Sequence, residues 1–266
     1  MNADDFSPAE LERIRSDSFV RQIEYHRELP STNDLAVQLA RTETFDTPLL
    51  VLTEQQTAGR GRGVNQWWST SGSLTFSLVI NTDEESLPSE RWPRMSLTVG
   101  LAVCEAIRRF APREDVGLKW PNDVFLAGRK VCGVLVEVPA PRNGRIVIGI
   151  GINVNNSFTV APAELRNNAV SLYDVTRDHF ELPVVLLEVL AQIERHVNQL
   201  QSGSEDLAKN WHALCILSGR AIEFDTGTYQ ISGICRGVDN DGALLIEGDA
   251  GIERVYGGVV THFERP

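Results

Sequence analysis

The stretch Gln56-Thr-Ala-Gly59-Arg60-Gly61-Arg62-Gly63-Val-Asn65-Gln66-Trp67-Trp68-Ser69 alternates glycine with arginine ahead of an aromatic pair. Glycine admits backbone conformations closed to other residues and lets main-chain N–H groups come close to a ligand, so this alternation suits a flexible anion-binding loop. Arg60 and Arg62 add planar forks that grip phosphate or carboxylate oxygens in pairs. Trp67 offers a flat face to a heteroaromatic ring such as adenine. Standing alone, the stretch also fits an RNA-binding Gly-Arg segment or an ordinary basic loop. The whole chain argues against a polymer: its 266 residues carry a formal net charge of -11, which disfavours nucleic acid and anionic membrane alike. A local positive feature on an acidic body favours a small anionic ligand.

Other candidates lie downstream. Lys119-Trp-Pro-Asn122-Asp123 reads as a turn at the end of a strand, because proline cannot continue a ladder and Asn and Asp favour turns. Lys130 stands at the entrance to the apolar strand Val131 to Glu137, where its charge can face a pocket, and Gly133 inside that strand marks close approach by a ligand or another backbone. Gly149-Ile-Gly151-Ile-Asn153 resembles part of a dinucleotide fingerprint, but no G-x-G-x-x-G follows and no helix begins at once. Asn153 can instead read adenine through its paired donor and acceptor. Ser31-Thr32-Asn33-Asp34 is a polar cluster that caps a helix, with ligand contact as the alternative use of the same groups. The five histidines lack metal-binding spacing, so no structural metal is expected. Cys104, Cys132, Cys215 and Cys235 show no C-x-x-C pairing and are expected as reduced core thiols. No leader and no bilayer-length apolar run is evident, which predicts a soluble, cytoplasmic protein.

These residues need elements to hold them. Ser7-Pro8-Ala9-Glu10 carries a capping hydroxyl, a proline at the first helical position and a returning glutamate, which predicts a helix running toward residue 20. The residues ahead of Ser31 are too few for a helix-turn-helix DNA reader. Pro48 to Leu52 predicts a buried strand feeding the Gly-Arg loop, and Ser73 to Ile80, alternating with period two, predicts the strand beside it. Asp83 to Pro88 reads as a polar connection, and Ser89 opens a helix with Leu97, Leu101, Cys104 and Ile107 on one stripe. Arg145 to Asn155 is a further strand; Ser171 to Gln201 supplies helices behind the sheet, and a short helix through Trp211 and Leu214 follows a polar break at Gln201 to Asp206. From Gly219 onward, brief strands at Ala221 to Phe224, Tyr229 to Cys235, Ala243 to Glu247 and Ile252 to Tyr256 predict a small barrel. No internal repeat interrupts this order.

The Gly-Arg loop, Lys119-Trp-Pro-Asn-Asp123, Arg129-Lys130 with Gly133, and Gly149-Ile-Gly-Ile-Asn153, in that order, resemble biotin protein ligases from about residue 25 to the end; Arg236-Gly-Val-Asp and Gly242-Ala-Leu-Leu resemble the family's terminal SH3-like barrel. The resemblance implies an α+β fold with a mixed sheet of the class II aminoacyl-tRNA synthetase and biotin/lipoate ligase kind. It divides the chain into an N-terminal helical extension at 1–24, a catalytic domain at 25–217 and the barrel at 218–266. It also implies ATP-dependent conversion of biotin to biotinyl-5′-AMP and transfer of biotin to a lysine of a biotin carboxyl carrier protein.

By the same resemblance Ser31, Thr32, Asn33 and Gln56 hold the ring end of biotin, with Gly61 and Gly133 beside it. Arg60 and Arg62 close over the carboxylate and phosphate, and Lys130 is the catalytic lysine. Gly59, Trp67 and Asn153 surround the adenylate, while Lys119, Asn122 and Asp123 lie near the phosphates, with Asp123 near a phosphate-bound Mg²⁺. Many bacterial members carry a further Gly-Arg pair where this chain reads Gly63-Val-Asn65-Gln66, which bears on loop ordering. The missing DNA-binding front domain resembles the monofunctional class. Sheet edges leave a homodimer open. The competing readings are a lipoate or octanoate ligase on the same fold, which needs a long apolar tunnel, and a non-catalytic biotin or nucleotide sensor, for which Lys130 and the Trp-Pro-Asn-Asp run would be superfluous.

Overall fold

Capping chemistry sets the first helices of the computed structural model, which describes residues 6–41, 45–82, 87–140, 144–204 and 206–263. Ser7 and Glu10 form a reciprocal capping box on α1 (Pro8–Ser16), which ends short of residue 20 and packs Ile14 into the main core. The next strand, β1 (Gln22–Leu29), was not expected from the sequence. Its residues show no clean alternation because it is a half-buried edge strand, paired in parallel with β2 (Leu49–Gln56). Between them α2 (Thr32–Ala40) starts where Ser31 Oγ accepts the Asp34 N–H.

β3 (Ser73–Asn81) pairs beside β2 as expected, and the two run antiparallel. Most of the connection expected over Asp83 to Pro88 lies outside the described residues. A 3-10 turn at Ser89–Arg94 then leads into α3 (Met95–Phe110), whose stripe of Leu97, Leu101, Cys104 and Ile107 is buried. Burial pushes the Cys104 thiol up to about 12, and all four cysteines are buried and free. Three antiparallel strands follow: β4 (Val116–Lys119), β5 (Asp123–Leu126) and β6 (Arg129–Glu137); β7 (Arg145–Asn153) completes the sheet. β5 was also unexpected, since four residues between two turn signals give periodicity too little to work on. The sheet order is β1-β2-β3-β7-β6-β5-β4, mixed only at its β1 end.

Alternation along the central strands divides the sheet into two unlike faces. Leu74, Phe76, Leu78 and Ile80 of β3 and Ile146, Ile148, Ile150 and Ile152 of β7 bury on one face in the main core, under α3 and α6 (Leu182–Ser202), which follows α4 (Ala163–Arg166) and α5 (Leu172–Thr176). The opposite face carries Ser73, Thr75 and Ser77 on β3 opposite Asn153, Gly151 and Gly149 on β7, an almost side-chain-free floor. α2 covers one end of it through Ala36, Ala40, Leu49, Val51, Val79 and Val147. The rest is open to a ligand.

α7 (Leu207–His212) leads to a second, antiparallel sheet of β8 (Ala221–Asp225), β9 (Gln230–Val238), β10 (Leu244–Gly248), β11 (Gly251–Val255) and β12 (Val259–Phe263), ordered β11-β10-β9-β8-β12. β12 adds a fifth strand to the four expected. The Trp120 indole fixes this unit to the larger sheet: its Nε1 donates to the Gly242 carbonyl at 3.2 Å, and its ring packs against Phe224 at 5.7 Å between centroids. Among the described residues no helix is long and apolar enough to cross a membrane.

Candidate active site

The open part of the sheet face carries a cavity of about 530 Å³. Its floor is β7 and β6, where Gly151 lies opposite Gly133, and its polar end is the start of α2. The Thr32 N–H and hydroxyl meet Gln56 Oε1 at 2.7 and 3.1 Å, and Ser77 Oγ lies 2.7 Å from Asn33 Oδ1. Ser31, Thr32, Asn33 and Gln56 are all buried. Polar groups this deep are retained where they are satisfied by one another and by a ligand.

The glycines of β7 exist because side chains press onto them. A Cβ on Gly149 would lie 2.2 Å from Asn33 Oδ1, and one on Gly151 would lie 2.3 Å from the Trp67 indole. The Gly-Ile-Gly-Ile-Asn run is therefore no dinucleotide turn: alternate isoleucines fill the core while the glycines lower the opposite face to admit Asn33 and Trp67.

The Gly-Arg loop folds back on itself as a narrow hairpin. Trp67 N donates to the Gly59 carbonyl at 2.9 Å and Gly61 N to the Asn65 carbonyl at 2.8 Å, with Asn65 Nδ2 donating to Arg62 O at 2.9 Å. Gly63 takes the left-handed turn at φ +66. Arg60 and Arg62 both line the cavity, yet each guanidinium already has a protein partner. Arg60 reaches Glu137 Oε2 at 2.6 Å and Asp34 Oδ1 at 2.7 Å; the hydrogen bond to Glu137 leads the influences that raise its pKa further. Arg62 donates to the Gly258 carbonyl in the second sheet at 2.8 Å and lies 6.0 Å from the Trp120 ring.

Lys130 faces the cavity. Its Nζ meets Asp123 Oδ1 at 2.6 Å and stands 5.9 Å from the Trp67 ring centroid. Asn122 lies beside them and spends an amide N–H on the Val134 carbonyl at 2.6 Å. Lys119 also lines the cavity, its Nζ 5.0 Å from the Phe263 ring. Two expected residues stand off the cavity wall: Gly59, packed against Gln56 and Trp67, and Asn153, buried where its Oδ1 accepts Asn156 Nδ2 at 3.2 Å. The sequence reading missed Asp34, Ser77, Thr75, Glu137 and the Gly258-Val259-Val260 wall. For Thr75 and Ser77 the signal was present, since with Ser73 they are polar at period two on a strand whose intervening residues are apolar.

Fold and site define a ligase whose small-molecule cavity is closed on one side by a C-terminal SH3-like sheet. Residues 25–155 match the biotin/lipoate A/B protein ligase family, and residues 217–262 match the biotin protein ligase C-terminal domain. The biotin–[acetyl-CoA-carboxylase] ligase of Mycobacterium tuberculosis is 30% identical over 246 residues, covering 91% of this chain and 89% of the relative. The bifunctional ligase/repressor BirA of Bacillus subtilis is 30% identical over 247 residues, 91% of this chain and 74% of its own length. Among solved structures, the Aquifex aeolicus biotin protein ligase in complex with biotin and ATP is 27% identical, with a TM-score of 0.79 over 92% of this chain and 100% of that one. The chain belongs to the biotin/lipoate A/B protein ligase family.

Proposed function

We propose that this protein activates biotin with ATP to biotinyl-5′-AMP and transfers the biotinyl group to a lysine of a biotin carboxyl carrier protein or domain. The observation that carries the reading is one cavity in which a hydrogen-bonded polar pocket, Ser31, Thr32, Asn33 and Gln56, adjoins the Lys130–Asp123 pair. A ureido ring satisfies such groups, whereas the apolar tail of lipoate leaves them unpaired, at a cost of several orders of magnitude in specificity. That disfavours the lipoate reading.

In the first step the biotin carboxylate attacks the α-phosphorus of ATP and pyrophosphate leaves. Both reactants are anions, so fixed positive charge lowers the barrier, and Lys130 is the cation best placed to touch the reacting oxygens. Trp67 is proposed to flank adenine, with Gly59 shaping the loop beneath it. Asn153 is proposed to stand with Trp67 around adenine, and Lys119, Asn122 and Asp123 on the phosphate side. Arg60, Gly61, Arg62 and Gly133 frame the acid. In the second step an acceptor lysine amine attacks the biotinyl carbonyl and AMP departs, a reaction governed by positioning and by loss of the amine proton.

Among the described residues no group of three or more His, Cys, Asp and Glu side chains is placed to hold a metal ion. A single carboxylate at the phosphate side, Asp123, suits an Mg²⁺ that would be held chiefly by ATP phosphates and water. When bound, the ion neutralises phosphate charge.

The test is incubation with ATP, Mg²⁺, labelled biotin and an isolated acceptor carrier domain. ATP-dependent labelling of one carrier lysine is expected. Labelling with lipoate but not biotin would replace the substrate, and binding without pyrophosphate release would remove the activity.

A further inference from the structure

Glu137 belongs to no motif, yet the polar contacts of the site meet on it. The alternation of β6 puts Gly133, Leu135 and Glu137 on the face of Gly149 and Gly151, and the first two line the cavity. Glu137 Oε2 accepts Asn33 Nδ2 at 2.6 Å and an Arg60 guanidinium N–H at 2.6 Å, and Arg60 Nε continues to Asp34 at 2.7 Å. Beyond Asn33, Ser77 Oγ lies 2.7 Å from Asn33 Oδ1 and 2.9 Å from Thr32 Oγ1, and Thr32 meets Gln56. One chain of contacts thus links the Gly-Arg hairpin, the flap of the site, to the polar end of the cavity.

The carboxylate gives that chain a direction. An ionised carboxylate only accepts, so Asn33 must turn its NH₂ toward Glu137 and its oxygen toward Ser77. An amide oxygen cannot donate, so the single Ser77 proton is committed to Asn33, and the Thr32 hydroxyl proton is shared between Ser77 and Gln56. Without Glu137 the Asn33 amide loses its reason to prefer this orientation over the flipped one, which would exchange the donor and the acceptor offered to a ligand. Arg60 would at the same time keep only Asp34.

We infer that Glu137 is a positioning residue for the reaction: it sets the donor–acceptor polarity of the Asn33 amide toward the ring of the bound acid and couples the flap, through Arg60, to that reading. The inference rests on the proposed function in taking biotin as the acid that Asn33 touches. Glu137 does not contact the reacting atoms; it acts through Asn33 and Arg60.

The experiment uses the full-length enzyme with Glu137→Ala, Glu137→Gln, Asn33→Ala and the double variant Glu137→Ala/Asn33→Ala. Pyrophosphate release gives KM for biotin and for ATP, release of free biotinyl-AMP reports flap closure, and melting curves report folding. Glu137→Ala should raise the biotin KM roughly tenfold or more while the ATP KM stays within about twofold, as loss of a charge-assisted bond predicts. Glu137→Gln retains an acceptor oxygen, so it should recover part of the biotin KM but still leak adenylate, because Arg60 keeps only Asp34 as an ionic partner. In the Asn33→Ala background, removing Glu137 should change the biotin KM by less than about twofold, since no amide remains to orient. An unmoved biotin KM in Glu137→Ala, or a full additive effect in the double variant, would overturn the inference while leaving the function standing. Wild-type enzyme that releases no pyrophosphate with biotin would overturn both.

Discussion

Adding a single methyl group at Gly149 or at Gly151 should impair the binding of different substrates. At Gly149 the new Cβ would stand 2.2 Å from Asn33 Oδ1 and 2.8 Å from its Cγ, against roughly 3.5 Å for comfortable contact. Asn33 would have to retreat by about 1 Å, and it cannot do so while keeping bonds of 2.7 Å to Ser77 and 2.6 Å to Glu137. Losing one neutral and one charge-assisted hydrogen bond costs roughly 2–4.5 kcal/mol, divided between fold stability and binding. A rise of about five- to fortyfold in the biotin KM is expected if half of that cost appears as a lowered melting temperature. At Gly151 the methyl would stand 2.3 Å from the Trp67 indole, whose backbone is tied to Gly59, so the ring must lift off the floor. Overpacking of this kind costs about 1–3 kcal/mol, and here it should fall on the ATP KM, with the biotin KM within about threefold. Steady-state pyrophosphate release with each substrate varied in turn separates the two. A Gly149→Ala enzyme with a normal biotin KM, or identical KM patterns from both substitutions, would refute the division of the floor into an acid end and a nucleotide end.

Three further expectations follow from the same geometry. Lys130→Ala should slow adenylate formation by about a hundredfold or more while biotin binding, measured by calorimetry, changes little; a near-normal single-turnover first step would remove Lys130 from the chemistry. Arg62→Ala cuts the tie from the hairpin to the Gly258 carbonyl and should increase escape of biotinyl-AMP into solution, and an unchanged escape rate would mean that this tie does not hold the flap. His196 on α6 is buried, with Nε2 3.3 Å from Glu105, and burial holds its pKa below the usual histidine value despite that carboxylate. The folded state therefore favours the neutral ring. Its stabilising contribution is complete above about pH 6.5 and is lost as pH falls through the depressed folded pKa. The melting temperature should drop between pH 7 and 5, and less so in His196→Gln; equal slopes would exclude this histidine.

The elements that the sequence made legible are those whose signals are local. The Ser7–Glu10 capping box, the Ser31 cap, the alternation of Ser73 to Ile80 and the stripe of α3 each lie within one element and each formed as expected, though α3 begins at Met95 after a 3-10 turn and not at Ser89. β1, β5 and β12 escaped because an edge strand, a four-residue strand and a strand with few buried side chains carry little pattern. The candidate site divides along the same line. Residues in dense motifs, Arg60, Trp67, Asn122, Asp123 and Lys130, could be singled out one motif at a time.

Their partners could not. Glu137 meets Asn33 across 104 positions, and Gly258 meets Arg62 across 196, through strand registers that no window of sequence contains. Residue type and short spacing by themselves determined the acidic body, the anion-seeking loop and the lysine at the entrance to β6, because such signals are local, while the ligase reading came from the resemblance of the ordered motifs to a family. Only the tertiary structure decided that both loop arginines are held by protein partners and that two glycines serve Asn33 and Trp67. Those outcomes depend on which strands lie side by side, and that is set by burial of the shared core and not by any local preference.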